Sequence, residues 1–212
     1  EYKQSESLLC DNGRLKQAGT DNGQGFGLRA VKGEAVGYAH SSDVSEAALK
    51  RAAETVKAVA GGYAGTLAAG PSRSNIRLYA DDNPLDAPAF ADKVKLLETI
   101  DAYARAKDPK VRQVTVSLAG SWQVVEILRP DGELFRDVRP LVRLNVSVVA
   151  GSGDRQESGS HGFGGRAGYA DFITEGRWKH AADEAIRQAL VNLESIPSPA
   201  GEMDVVLGPG WP

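Results

Sequence analysis

The residues best suited to bind a ligand or transfer a proton lie together in one glycine-rich segment, residues 158–168, which contains His161 and Arg166. An imidazole can exchange a proton near neutral pH, and a guanidinium can bind an anion through several N–H groups. Glycines around them leave backbone amides that a ligand could approach closely. Alternatively, the segment is a simple hairpin connection with no ligand. The candidate contacts for a peptide or a neighbouring domain are His161, Gly162, Gly164, Gly165 and Arg166.

Other catalytic and metal-binding patterns fail on spacing or context. His40 and His180 stand at no spacing that would place two imidazoles on one helix face for a metal. The letters Gly-x-Gly-x-x-Ala from Gly162 fit a dinucleotide fingerprint, but a polar stretch precedes them where a buried strand is required. Neither a phosphate-binding loop nor a Gly-x-Ser-x-Gly elbow occurs. The only cysteine, Cys10, is expected to be a small buried apolar side chain.

Composition excludes several classes of protein and partner. The chain has 212 residues, of which 42% are hydrophobic and 25% charged, as in an ordinary globular protein. Its formal net charge is −3, and its lysines and arginines are scattered, so we expect no nucleic-acid partner. No apolar run approaches the ~20 residues that cross a bilayer, so no membrane association is expected.

The elements that must position the candidate residues follow from hydrophobic periodicity. Two-residue alternation over residues 5–40 predicts hairpin-linked antiparallel strands, with a turn at residues 11–13. A turn at Gly120-Ser121 is expected to separate two later strands. Residues 61–74, which are mostly glycine, alanine, proline and serine, predict a surface loop. Further strands are predicted at residues 114–118, 122–128, 142–148 and 203–207.

Three amphipathic helices interrupt the strands, and their apolar stripes are expected to face the sheet. The first would begin at an N-cap of Ser42 or Ser45, and the second would end before Asp108-Pro109. The fold class is therefore α+β, a mainly antiparallel sheet with about three helices. The three stripes are Leu49, Ala53, Val56 and Ala60; Phe90, Val94, Leu97, Ile100 and Ala104; and Trp178, Ala182, Ile186, Ala189 and Leu193.

Longer segments carry a family pattern that no single motif carries. The segments are Gln24 to Ala30, Asp137 to Val148, Gly164 to Arg166, and Pro199 to Pro212. In this order and spacing they resemble the TldD/PmbA proteins, historically called modulators of DNA gyrase, and the likeness spans essentially the whole chain. The closing Gly-Pro-Gly-Trp-Pro is similar to the TldD-like branch of that family.

The resemblance implies a bacterial, cytoplasmic zinc metallopeptidase that degrades or processes unfolded peptides. Its implied partner is a PmbA-type subunit that lacks the metal, or a second copy of the chain. In TldD-like proteins a His-Glu-x-x-x-His zinc motif follows the segment that matches Gly208 to Pro212, and a cysteine ligand lies further downstream. Cys10 does not match that cysteine. We therefore expect the zinc ligands and catalytic residues beyond Pro212, and no cofactor or activity in this part alone.

The resemblance also divides the chain. Residues 1–198 are expected to form an N-terminal α+β domain of TldD/PmbA type, and residues 199–212 a linker and the first strand of a truncated C-terminal catalytic domain. This portion would hold substrate or support assembly, because an extended peptide can add to an exposed sheet edge. Two other functions stay open: a non-catalytic, PmbA-like peptide- or partner-binding scaffold, and a DNA gyrase modulator, which the acidic balance disfavours.

Overall fold

The computed structural model describes residues 1–60, 79–130, 132–206 and 208. The predicted loop at residues 61–74 lies outside these described residues. Within them the predicted α+β class is confirmed, with seven strands and four α-helices in place of about three. The elements are β1 (Tyr2–Asp11), β2 (Arg14–Gln24), β3 (Phe26–Lys32), β4 (Ala35–Ser41), α1 (Glu46–Ala60), α2 (Phe90–Lys107), β5 (Val111–Leu128), β6 (Leu134–Ser152), β7 (Arg155–Gly165), α3 (Tyr169–Phe172) and α4 (Glu175–Leu193).

Five strands form one antiparallel sheet in the order β2-β1-β5-β6-β7. The long β5–β6 hairpin lies at its centre, and β1 pairs with β5 although about a hundred residues separate them. Alternation explains the hairpin, because Val114 and Val116 on β5 and Val146 and Val148 on β6 are fully buried. The strands at the two edges are β2 and β7.

One face of this sheet carries the core. Helix α2 packs on β1 and β5, and α4 packs on β6 and β7. Leu97 and Ile100 of α2 and Trp178 and Ala185 of α4 join the buried strand residues in one cluster. In the part of the chain that the structure describes, no helix covers the opposite face, which we call the open face.

A second, two-stranded sheet of β3 and β4 packs against α1. Ser45 caps this helix as predicted, because the Ala48 amide donates to Ser45 Oγ at 3.3 Å. The predicted apolar stripe is rotated, since Ala48, Ala52 and Val56 are buried while Leu49 is 45% exposed. The helix approaches this sheet closely, since a Cβ at Gly37 of β4 would lie 2.9 Å from the Val56 carbonyl oxygen.

Two predictions about the central elements were wrong. The turn at Gly120-Ser121 does not exist, because β5 continues through both residues to Leu128. A Cβ at Gly120 would overlap the Tyr169 hydroxyl, so the glycine permits close packing and not a turn. Phe90 does not face the sheet either; it is 50% exposed in the first turn of α2.

The chain after α4 differs from the sequence prediction. Described residues 202–206 adopt no regular secondary structure, and the strand expected from Met203 is not formed there; Leu207 lies outside the described residues. Separately, none of the helices in the described ranges combines the length and the apolar composition that a membrane crossing requires.

Candidate functional site

The glycine-rich segment that carries the candidate contacts forms strand β7 as far as Gly165, and only residues 166–168 lie outside the strand. It pairs with β6 residue by residue, from Arg155 opposite Ser152 to Gly165 opposite Val142. Successive residues therefore point to opposite faces of the sheet. His161 and Gly165 face the helices, whereas Gly162 and Gly164 lie on the open face.

The glycines of β7 are explained by close packing. A side chain at Gly159 would overlap the backbone of α4 at Ala185, and one at Gly165 would meet the Phe172 ring. On the open face, Gly162 lies directly beneath the side chain of Asn145. The glycine content that suggested ligand approach thus lets a helix and neighbouring side chains sit against the strand.

His161 and Arg166 contact different neighbours. The His161 ring lies edge-on to His180 of α4, with 5.4 Å between ring centroids. Arg166 is exposed beyond the end of β7, and its guanidinium lies 5.4 Å from the centre of the Tyr79 ring. The structure does not bring these two polar groups into one constellation.

The histidine pair has an ionised carboxylate beside it. Hydrogen bonds from Arg187 and Gln188 lower the pKa of Glu184 to about 2, and a protonated His161 would act in the same direction. Within the described ranges, however, no three His, Cys, Asp or Glu side chains come together in a way that could hold a metal ion. Cys10 is buried and free, as expected, and burial raises the pKa of its thiol.

The two sheet edges differ in how their backbone groups are bonded. On β7, Gln188 of α4 accepts from the Ser160 amide at 3.4 Å, and Asn192 donates to the Ser158 carbonyl at 2.9 Å. On β2, all eleven residues are exposed, and the described residues give the strand no backbone pairing except with β1. The open edge of the sheet is therefore β2.

The β2 edge is held rigidly at one end. Asn12 and Gly13, with φ of 52° and 67°, form the tight turn between β1 and β2 that the sequence predicted. The buried Asp101 of α2 accepts from the Gly13 amide at 2.9 Å and from Arg105 Nε at 2.7 Å, and Arg105 also donates to Asn12. The edge strand is thus anchored to the core helix.

The open face contains a hollow of about 470 Å³, which we call the sheet trough. Its floor consists of the small residues Ser5, Ser7, Ala119 and Ser121. Register places these side chains on the face opposite the helices, side by side on β1 and β5. A hollow of this size falls in the range of small-molecule sites.

Larger side chains stand at both ends of the sheet trough. Arg143 and Leu141 of β6 lie at one end, opposite Ala119 and Ser121 in register. Asp21 of β2 lies at the other end. Sequence analysis missed this hollow, because strand order alone brings these residues together.

A buried polar cluster lies on the helix side of the same strands. Lys93 of α2 is 1% exposed, and its Nζ donates to Glu6 at 2.7 Å and to the Leu85 carbonyl at 3.0 Å. The Tyr169 hydroxyl donates to the same Glu6 oxygen at 3.4 Å, and burial raises the pKa of Tyr169 well above its usual range. The cluster joins α2, β1 and α3. The only available sequence signal was a lysine on the apolar stripe, four residues before Leu97.

The fold and site define an α+β protein with a helix-covered sheet that has one open edge and one open face. Two family models match it: PmbA/TldA metallopeptidase domain 1 over residues 1–60, and PmbA/TldA metallopeptidase central domain over residues 83–193. The chain belongs to the PmbA/TldD metallopeptidase family. The five-stranded sheet takes strands from both matched regions, because β1 pairs with β5.

Individual relatives agree with this assignment. A protein named metalloprotease TldD homolog from Haemophilus influenzae is 40% identical over all of this chain and 45% of its own length. The chain thus spans about half the length of the curated relatives it matches. A crystal structure described as a modulator of a DNA gyrase from Thermotoga maritima matches with a TM-score of 0.71 at 15% identity, over 94% of this chain and 45% of that one. TldE from Thermococcus kodakarensis matches with a TM-score of 0.66 at 15% identity, over 89% and 43%. These two matches establish the fold.

Proposed function

We propose that this chain is the substrate-holding, non-catalytic part of a TldD-like zinc metallopeptidase that acts on unfolded peptides. Family membership and the metalloprotease name of a 40% identical relative support the peptidase class. The observation that carries the holding role is the β2 edge, eleven residues long and bonded on one side only among the described residues.

An extended peptide can pair with such an edge through its main chain. Main-chain hydrogen bonds recognise the extended conformation and not the side chains, so the site would accept many sequences. A folded protein has few extended segments free to pair in this way, so the edge would select unfolded peptides. Anchoring of the turn at Gly13 by Asp101 fixes one end of the edge before the peptide arrives.

The described residues do not fit the zinc ion of the family, because they contain no group of three suitable ligands. In this proposal the zinc and its His-Glu-x-x-x-His motif belong to a catalytic domain, and residues 199–212 form the linker that leads to it. Residues 1–198 then form the domain that holds substrate. The chain alone should neither retain zinc nor cleave peptides.

The proposal also covers assembly. The complete protein would work in the cytoplasm, paired with a PmbA-type subunit or with a second copy of itself. The fold shared with TldE supports a related architecture for the two kinds of subunit. Among the candidate residues from His161 to Arg166, Arg166 would then contact the catalytic domain or the bound peptide, because it is exposed at the end of β7.

Arg166 provides a direct test of that contact. Arg166→Ala in the full-length protein should slow peptide cleavage while leaving the melting temperature nearly unchanged. Arg177→Ala is the matched control, because its guanidinium also lies on an aromatic ring, that of Phe172, at 4.1 Å. Unimpaired cleavage of several unrelated peptides by Arg166→Ala would show that this residue does not contact the substrate or the catalytic domain in a way that matters for cleavage.

The holding role is tested with an unstructured, end-capped fluorescent peptide and the same peptide methylated on every backbone nitrogen. The side chains are identical, but the methylated form cannot donate hydrogen bonds along an edge. Fluorescence anisotropy should detect binding of the first peptide and at least a tenfold weaker binding of the second, as loss of several hydrogen bonds requires. Equal affinities would exclude edge pairing.

A further inference from the structure

The sheet trough has a charge arrangement that the peptide-holding edge does not need. Asn145 accepts from Arg143 Nε at 3.0 Å, and Asn145 in turn donates to Ser117 at 3.4 Å. The side chain of Arg143 is therefore fixed at Nε. Its two terminal nitrogens have no partner among the described residues and remain available to a carboxylate, which a guanidinium binds in a fork.

The opposite end of the trough carries the opposite charge. Asp21 forms no ion pair or hydrogen bond to another side chain within the described ranges, and it lines the trough from β2. Between the two charges lie only the small side chains of the floor, such as Ser7 and Ala119. A ligand with a carboxylate at one end and an ammonium at the other matches this arrangement.

The spacing sets the length of such a ligand. Three strand spacings, each about 4.8 Å, separate β6 from β2, and Asp21 lies one side-chain repeat further along its strand than the residue opposite Ala119 and Ser7. The two Cα atoms are thus about 16 Å apart. A dipeptide or tripeptide spans about 7–10 Å. The side chains of Arg143 and Asp21, together with two charge-assisted hydrogen bonds of about 3 Å, span the remaining distance.

We infer that the sheet trough binds short peptides of two or three residues by their free ends, with the carboxylate on Arg143 and the ammonium on Asp21. Leu141 contributes an apolar surface for the ligand's side chains at the Arg143 end. The inference rests on the proposed peptide-handling function, which it extends from long substrates to short products. Interior segments of a long substrate lack these charged ends and would not be held there.

The test uses the tripeptide Ala-Leu-Ala and its N-acetylated, C-amidated form, titrated into the 212-residue chain by NMR and calorimetry. The free tripeptide should bind and shift the resonances of Ser7, Ala119 and Ser121. Capping either end should weaken binding about 10- to 100-fold, as loss of one charged hydrogen bond implies. Equal binding of free and capped tripeptides overturns the inference.

Variants locate the two ends. Arg143→Gln should weaken free Ala-Leu-Ala but leave its C-amidated form unchanged, and Asp21→Asn should do the same with the N-acetylated form. Arg136→Gln, an exposed arginine on the β5–β6 hairpin that pairs with Glu126, is the control and should bind normally. Unchanged affinity of both trough variants for the free tripeptide overturns the inference.

The outcome is separable from that of the proposed function. If the chain binds the long capped peptide along β2 but does not bind Ala-Leu-Ala, the holding role stands and the inference about the sheet trough is wrong. If the chain binds Ala-Leu-Ala in the trough but does not bind the long peptide, the proposed holding role is wrong instead.

Discussion

At the scale of single residues, a leucine buried in the core on α2 should contribute more to stability than an exposed leucine on α1. Leu97 is fully buried in the main core, so Leu97→Ala should lower the free energy of unfolding by about 2–5 kcal/mol. Leu49→Ala on α1, where the leucine is 45% exposed, should change it by less than about 0.5 kcal/mol. Urea denaturation measures both. An equally small effect at Leu97 would place that residue on the surface.

Glycines in and beside the sheet differ in what surrounds them. Gly159→Ala would place a Cβ against the backbone of α4, so it should destabilise the protein by about 1–3 kcal/mol. Gly176→Ala in the first turn of α4 meets nothing and should stabilise it by about 0.5 kcal/mol. Denaturation midpoints should therefore move in opposite directions. A shift of both in the same direction would contradict the packing account of β7.

The sequence could not distinguish these roles of glycine. Gly120 and Gly159 lie in segments that resembled a turn and a loop, yet both are strand residues on which an aromatic ring or a helix packs closely. A local pattern records that a side chain is absent, but not what occupies the space. The partner of each glycine, Tyr169 or Ala185, is supplied by a distant element.

At the scale of elements, alternation and helical periodicity predicted most of the secondary structure. Apolar alternation over residues 142–148 located β6, and the stripe through Ile186 located α4, because these patterns depend only on local geometry. The pairing of β1 with β5 could not be predicted, since no local signal specifies a partner a hundred residues away. The open edge followed only from that strand order and from capping of β7 by α4.

The buried cluster of Lys93, Glu6 and Tyr169 joins three elements and should respond to alkaline pH. Burial and the nearby charge of Glu6 raise the pKa of Tyr169 above its ordinary value near 10. The folded protein then holds the phenol proton more tightly than the unfolded chain does. The contribution to stability is complete below pH 10 and falls as the pH rises above it.

Tyr169→Phe isolates this contribution. The variant removes the titrating group but keeps the ring, so the difference in unfolding free energy between the native chain and the variant should shrink as the pH is raised from 9 to 11. Other tyrosines and the lysines titrate in both proteins and cancel in the difference. A pH-independent difference would show that the Tyr169 hydroxyl is not protected from ionisation in the folded state.

At the scale of the whole molecule, the family assignment and the open surfaces both support a peptide-holding role. Helices cover one face of the sheet, and α4 side chains bond the β7 edge at Ser158 and Ser160, whereas the β2 edge and the sheet trough stay accessible. The distinctive segments of the sequence predicted the family. They did not predict which surface could receive a peptide, because an edge is defined by the strands that fail to pair with it.

Hydrogen exchange along the two edge strands tests the central claim most directly. The 212-residue chain would be measured with and without a saturating concentration of an unstructured, end-capped peptide. The account predicts slower exchange at the β2 amides that are not bonded to β1, and no change along β7, where Gln188 and Asn192 of α4 already bond edge groups. Protection along β7 with none along β2, or no protection on either strand, would contradict the proposal that β2 holds the substrate.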